Sequence, residues 1–381
     1  MRWHLVGGEY PPSCGGVGDY TARLATALAA AGDHVDVWVP AAAESSGAPA
    51  VHALPDVFGA RARAMLAEHW RRDPAIVLLQ YVPNALGARG ANLPFCRWLL
   101  AQRRAGLDVR VMFHEPYFYF SARRPWRNAL AIVQRRMAAT LIRAATHLYY
   151  SSEAWHRYLG PYGAGADARV LPIPSTVPAQ ASETTVEVFR RRFAPDGGPV
   201  VGHFGTFGDD IARELLPFFT GLVDVSPDVN IALIGGGSHE FQRMLGARAP
   251  EAAARCRPTG RVDAEHVAAA LRACDLVAQP YPDGVTTRRT TIMAALSNAV
   301  ATVTTDGPLT ERVWRDSRAA ALVPARDPDA LIRAVRTLLP CAAERCAQGA
   351  RGADTYARHF SMEQTLRTLR EGAGAETPVA R

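Results

Sequence analysis

The sequence predicts an α/β protein built from two Rossmann-like domains, and three observations carry that reading. Short apolar strands alternate with amphipathic helices through most of the chain. The alternation stops near Leu171-Pro172-Ile173-Pro174 and restarts at Val200. A length of 381 residues with 48% hydrophobic and 21% charged residues suits two globular cores better than one.

Taken in order, Met1 to Gly8 runs straight into a strand-like segment, with no signal-peptide core. A glycine-rich loop, Glu9 to Tyr20, opens onto a helix over Tyr20–Ala31 that closes on Gly32. Strands follow at His34–Val39, Ala75–Leu79 and Val109–Phe113, with a helix at Leu93–Arg104 closing on Gly106. An arginine-dotted helix is read at Ala129–Arg143. The polar span through Glu183-Thr184-Thr185 to Pro195-Asp196-Gly197-Gly198-Pro199 reads as the linker. Beyond it lie strands at Val200–Phe204, Asn230–Ile234, Leu276–Gln279 and Ala299–Thr304, then helices at Ala330–Leu338 and Met362–Arg370. The expected division is 1–178, 196–356, and a C-terminal helix within 357–381 that returns to the first domain, its last ten residues frayed.

Charge narrows the partners. The net charge of +7 and pI near 9.3 suit anions, and with no lysine in the chain every permanent side-chain cation is an arginine, a planar bidentate donor for phosphate. No nucleic-acid-binding module or basic run is present, so nucleic acid is not an expected partner. The six cysteines are scattered, without metal spacing, which fits a reducing cytoplasm and no metal centre. No apolar run reaches the ~18 residues of a membrane span.

Three segments can carry chemistry. Amides of Gly15, Gly16 and Val17 open a helix whose N-terminus favours an anion; a ligand-free turn is the alternative. The loop is long and the second strand ends Trp38-Val39-Pro40, which argues against a dinucleotide fingerprint. Val109–Phe113 delivers His114-Glu115 to the C-terminal edge of the sheet, where open α/β sheets bind ligands; a backbone-satisfied histidine is the alternative. Asp283 to Thr291 crowds hydroxyls, a carboxylate and the pair Arg288-Arg289 onto one helix entrance. Two arginines there oppose the helix dipole by roughly 0.3–1 kcal/mol unless an anion sits between them. They read as diphosphate ligands, against solvated surface arginines.

This last segment resembles the acidic motif of the large retaining glycosyltransferase family that includes sucrose and glycogen synthases and mannosyltransferases. Asp283-Gly284 falls on the family's first acid and glycine, Thr291 on its second glutamate, and Met293-Ala294 on the following Met-Ala. The likeness extends to the Pro-Pro-x-x-Gly-Gly loop, the strand-end histidine, Ile234-Gly235-Gly236-Gly237, Gly260-Arg261-Val262 and the Phe360-Ser361 break. It implies the GT-B fold, two Rossmann-like domains facing across a cleft, and sugar transfer with retention from a nucleoside diphosphate sugar, UDP the favoured base. Gly16 and its neighbours would meet the diphosphate, and His114 would lie beside the sugar. Asp283 with Gly284 would bind sugar hydroxyls, Val262 would border the base, and Thr291, with Thr290 sharing the task, would meet the ribose; Arg261 and Val285 belong to the same donor set. Gly205, Thr206 and Gly235 complete the donor set.

The family's arginine and lysine after the first strand of the second domain are absent, the segment reading Gly205-Thr206-Phe207-Gly208-Asp209-Asp210-Ile211. Arg289, Arg288 and then Arg213 are the expected replacements, so His114, Asp283 and Arg289 form the expected catalytic set. The acceptor, a hydroxyl on a small molecule, glycan or lipid-linked sugar, is expected at Gln80, Tyr81, Glu115 and Tyr117. No cofactor is expected beyond the donor, since no Asp-x-Asp motif marks a metal-bound diphosphate. Two alternatives stand beside this reading. One is a non-catalytic paralogue that binds nucleotide sugar. The other is a membrane-peripheral enzyme, motivated by Arg123-Arg124-Pro125-Trp126-Arg127 and the helix after it.

Overall fold

A computed structural model describes residues 1–12, 15–40, 47–165 and 167–371. Cys14, and the last ten residues read as frayed, lie outside the described residues. The chain divides into two units, Met1–Pro172 with Met362–Arg381, and Ile173–Ser361.

The first unit runs β1 (Arg2–Val6), α1 (Gly16–Ala30), β2 (His34–Val39), β3 (Ala50–Ala53), α2 (Ala60–Arg72), β4 (Ile76–Tyr81), α3 (Leu93–Arg104), β5 (Val109–Phe113), α4 (Trp126–Ala144), β6 (His147–Tyr150), α5 (Ala154–Leu159) and β7 (Arg169–Val170). Its strands form one parallel sheet in the order β3-β2-β1-β4-β5-β6-β7. Alternation along each strand sends Val6, Val77, Leu79 and Val111 to the face covered by α2 to α5, where Phe58, Leu66, Phe95, Met137 and Leu141 complete the core.

The second unit runs α6 (Glu183–Phe193), β8 (Val200–Phe204), α7 (Asp209–Val225), β9 (Asn230–Ile234), α8 (Ser238–Gly246), α9 (Pro250–Arg255), β10 (Cys256–Pro258), α10 (Ala264–Arg272), β11 (Leu276–Gln279), α11 (Thr290–Ser297), β12 (Thr302–Asp306), α12 (Arg312–Ser317), β13 (Ala321–Pro324), α13 (Pro328–Leu338) and α14 (Ala342–Thr355). Its sheet is also parallel, ordered β10-β9-β8-β11-β12-β13. One face packs Val201, Ile231 and Leu233 under α7 and α13; the other packs Val200, Ala232 and Val277 under α6 and α10.

The span read as a linker holds α6. Phe189 and Phe193 lie one turn apart on its inner face and are buried against the second sheet, contributing about 1.5–3 kcal/mol each. Arg190 ties the helix to the Asp275 carboxylate at 2.6 Å and to the Ala273 and Gly198 carbonyls. The regular structure of the second unit therefore begins at 183. The first unit ends at Pro172, and from Ile173, whose N–H donates to the Thr287 carbonyl at 2.9 Å, the chain belongs to the second.

After α14 the chain returns to the first unit as α15 (Met362–Glu371). Leu369 is buried there, and the fully buried Arg110 donates to its carbonyl at 2.6 Å while lying over the Trp3 ring. Arg370 pairs with Asp33 at 2.9 Å. Among the described residues no helix is long and apolar enough to cross a membrane.

Candidate functional site

Both sheets have a switch point where the strand order reverses, between β1 and β4 and between β8 and β11, and ligands of open α/β sheets bind beyond the strand ends there. In the first unit that place is formed by the loop after β1 and the ends of β4 and β5. The Nε2 of His114 donates to Gln80 Oε1 at 2.7 Å, and its carbonyl accepts from Ser151 Oγ and Trp155 Nε1. The imidazole stands edge-on to Tyr20, and burial pushes its pKa down to about 3, so it acts as a neutral hydrogen-bonding group. Gln80 Nε2 is buried with no acceptor. A buried donor left unmade costs about 1–3 kcal/mol, which makes it a place for a ligand oxygen.

At the start of α1, Gly18 N–H donates to Glu9 Oε1 at 3.3 Å. A Cβ on Gly15 would run into this same carboxylate, whereas one on Gly16 would meet nothing. The helix entrance assigned to a diphosphate is thus capped by the chain's own acid, with Gly16 and Val17 beside it.

The expected acceptor residues do not all share one place. Tyr81 points the other way from Gln80, fully buried against Phe113 in the core, and is corrected to a packing residue. Strand parity is the cause: successive residues face opposite sides of the sheet. Glu115 is exposed next to His114. The Tyr117 hydroxyl donates to the Tyr158 carbonyl at 2.8 Å, and Arg135 lies over its ring.

In the second unit the loops after β8 and β9 interlock. Gly235 and Gly237 both have positive φ, and a Cβ on Gly237 would stand 2.6 Å from the Thr206 carbonyl, one on Gly235 2.4 Å from the Gly205 carbonyl. Thr259 Oγ1 accepts from Gly235 N–H, Ser238 Oγ accepts from Gly260 N–H, and the Arg261 guanidinium lies beside Gly236. Gly205, Thr206, Gly235, Arg261 and the half-buried Val262 are brought together.

Across the switch point, Gly284 (φ 89°) packs on Gly307 and Thr310, so any side chain there would clash. Asp283 is exposed, with Arg326 at 3.5 Å. The next turn is fixed by Glu311, a residue the sequence reading passed over. Only 4% exposed, it accepts from Thr287 N–H at 2.8 Å, Thr287 Oγ1 at 2.7 Å and Trp314 Nε1 at 2.9 Å. Its sequence signal was slight, an acid one residue before a six-residue helix.

This clamp presents Arg288 and Arg289 at the entrance of α11. The Arg289 guanidinium lies over the Tyr281 ring at 4.7 Å, and its Nε is buried without an acceptor. The Tyr281 hydroxyl and Thr291 Oγ1 are 2.8 Å apart, next to Thr290 at the head of the helix. Two donor residues are corrected. The Val285 side chain is fully buried beside Trp314, because its N–H follows the sheet edge to the Thr305 carbonyl and turns the side chain inward. Arg213 is solvent-exposed and paired with Asp210 at 2.8 Å, one turn away on its own helix.

Residues 198–340 match the family described as group 1 glycosyl transferases. No curated protein matches the sequence. Among solved structures, sucrose-phosphate synthase from Thermosynechococcus elongatus is similar over 97% of this chain and 98% of its own (TM-score 0.73, 16% identity). HepE of Anabaena, in complex with UDP, is similar over 99% and 100% (TM-score 0.73, 14% identity). A glycosyltransferase from Rickettsia africae is similar over 99% of both chains (TM-score 0.70, 12% identity). These likenesses establish the α/β fold of two parallel-sheet Rossmann-like domains found in GT-B glycosyltransferases. Carrying a group 1 glycosyl transferase domain within that fold, the chain is a glycosyltransferase.

Proposed function

We propose that the chain transfers a sugar from a nucleoside diphosphate sugar, with UDP the favoured base, to an acceptor hydroxyl with retention of configuration. The observation that carries this reading is Arg289, a guanidinium with an unused buried Nε, held at a helix entrance by the Glu311 clamp. Structures of HepE carry UDP and UDP-glucose, which supports the same donor class here.

In this reading Arg289 and Arg288, with the amides at Gly236 and Gly237 and the head of α11, hold the diphosphate. Arg261 and Val262 border the base, and the Tyr281–Thr291 pair offers hydroxyls to the ribose. Asp283, beside Gly284, meets the sugar; in the first unit, the neutral His114 and the spare amide of Gln80 offer hydrogen bonds to a sugar. The acceptor hydroxyl approaches on the leaving-group face. As its oxygen bonds to the anomeric carbon, the bond to the phosphate oxygen breaks, and that oxygen takes the hydroxyl proton. Positioning and charge stabilisation supply the catalysis, and no metal or organic cofactor enters.

The test is a thermal-shift and calorimetric screen against UDP-, GDP-, ADP- and dTDP-sugars. One donor is expected to stabilise the wild type by ~2.7 kcal/mol at 100 times its Kd. Arg289→Ala is expected to weaken it by roughly 10- to 100-fold, the loss of a charge-assisted contact of about 1.5–3 kcal/mol. No response to any donor, or full affinity in the variant, would refute the assignment.

The partner on the acceptor side is an anionic membrane surface, read from an exposed aromatic and arginine-rich segment before α4. The enzyme would then be cytoplasmic and membrane-peripheral, working on a lipid-linked acceptor.

A further inference from the structure

On the face of the first sheet under α2, away from the loops above, lies a cluster of titratable side chains that sugar transfer does not use. His4 sits in the middle of β1, His69 in the last turn of α2, and Asp73 at its C-terminal cap. Their ligand atoms all lie within 4.8 Å of one another. Because α2 runs back against the strands, this cluster is at the opposite end of the strands from Gln80 and His114.

We propose that His4, His69 and Asp73 bind a divalent transition-metal ion of the zinc class, fastening β1 to the C-terminus of α2. Two imidazoles and a carboxylate are a recurrent ligand set for zinc, with water as a fourth ligand. Four further observations point to a cation here. His69 Nε2 is buried with no hydrogen-bond partner. The C-terminal end of a helix favours positive charge. Arg2 already places its guanidinium against the Asp73 carboxylate, so this carboxylate draws a cation of the chain's own.

The fourth is the surrounding shell. Binding through His4 Nε2 gives up its 3.1 Å hydrogen bond to the Asp73 carbonyl and moves the ring proton to Nδ1. Nδ1 then turns from Trp38 Nε1, at 3.4 Å, to the Asp36 carboxylate, now 3.9 Å away. Asp36 is in turn held by His52 Nε2 at 2.5 Å. A carboxylate behind a ligating histidine fixes its tautomer and raises its basicity.

The test uses the full chain, stripped with a chelator and titrated with Co2+ and then Zn2+. Visible d–d absorption at one equivalent of Co2+, displaced by Zn2+, is expected. His69→Ala and Asp73→Asn are expected to remove the band while circular dichroism stays native, and Asp36→Asn to weaken binding about 10- to 100-fold. Arg2→Met is expected to tighten binding by removing the competing cation, a change no purely structural role of these residues predicts. Absence of the band in the wild type, or its survival in both His69→Ala and Asp73→Asn, would overturn the site. UDP-sugar binding should be unaffected by the chelator.

Discussion

Glu311 shows how one buried carboxylate can govern a binding loop it does not belong to. Glu311→Ala leaves Thr287 N–H and Trp314 Nε1 buried without acceptors, at a cost of about 2–4 kcal/mol. Because Thr287 precedes the arginine pair, the same substitution should weaken donor binding. Urea unfolding and donor calorimetry read the two effects, and unchanged affinity in a destabilised variant would separate the clamp from the site. His203 offers a residue-scale test of pH. Its Nδ1 donates to the Ala278 carbonyl, its Nε2 is buried without a partner, and burial pushes its pKa from 6.5 down to about 4. Between those values the unfolded chain binds the extra proton, so stability contributed by the neutral ring is present above pH 6.5 and lost as pH falls. The second unit should lose about 1–2 kcal/mol from pH 7 to pH 5, and His203→Gln should flatten that slope. An unchanged slope in the variant would assign the loss elsewhere.

At the scale of elements, the segment leading into α4 is the surface most in need of a partner. Trp126 is 71% exposed, Phe120 58% and Tyr119 51%, with Arg127 over Phe118 and Arg135 over Phe120 at 4.0 Å each. From Pro116 to Ser152 the chain has six arginines and no acid. Aromatic rings at the headgroup level with flanking arginines suit an anionic bilayer, each arginine adding about 1 kcal/mol. Vesicles rich in anionic lipid should co-sediment the protein at low salt, and Trp126→Ala with Arg123→Ala and Arg124→Ala should reduce this at least tenfold. No binding to such vesicles at low salt would remove the membrane reading. Elements were legible where period and punctuation agreed: β2, β5, β8, β9, β11 and α3 lie at the residues the pattern marked. They were not legible where a few apolar positions decide the outcome among polar neighbours. Phe189 and Phe193 make α6 a packed helix, and β3 is four residues long.

At the scale of the whole molecule, the parallel sheets followed from alternation and the roles of Gly235 and Gly284 from the family resemblance, whereas the switch points and the close backbone approaches at glycines 235, 237 and 284 emerged from the structure. The direction of Tyr81 and Val285, and the carboxylates Glu9 and Glu311 facing loops distant in sequence, depend on tertiary packing that no local pattern records. The return of α15 to the first unit has a consequence for synthesis. Arg110, buried and made early, has the Leu369 carbonyl as a partner, and Asp33 has Arg370. A ribosome adding roughly 5–20 residues per second must deliver the entire second unit before these partners emerge. The half of the protein that is translated first is therefore completed last, and during that interval its α1 side waits uncovered, a window in which a chaperone would find it.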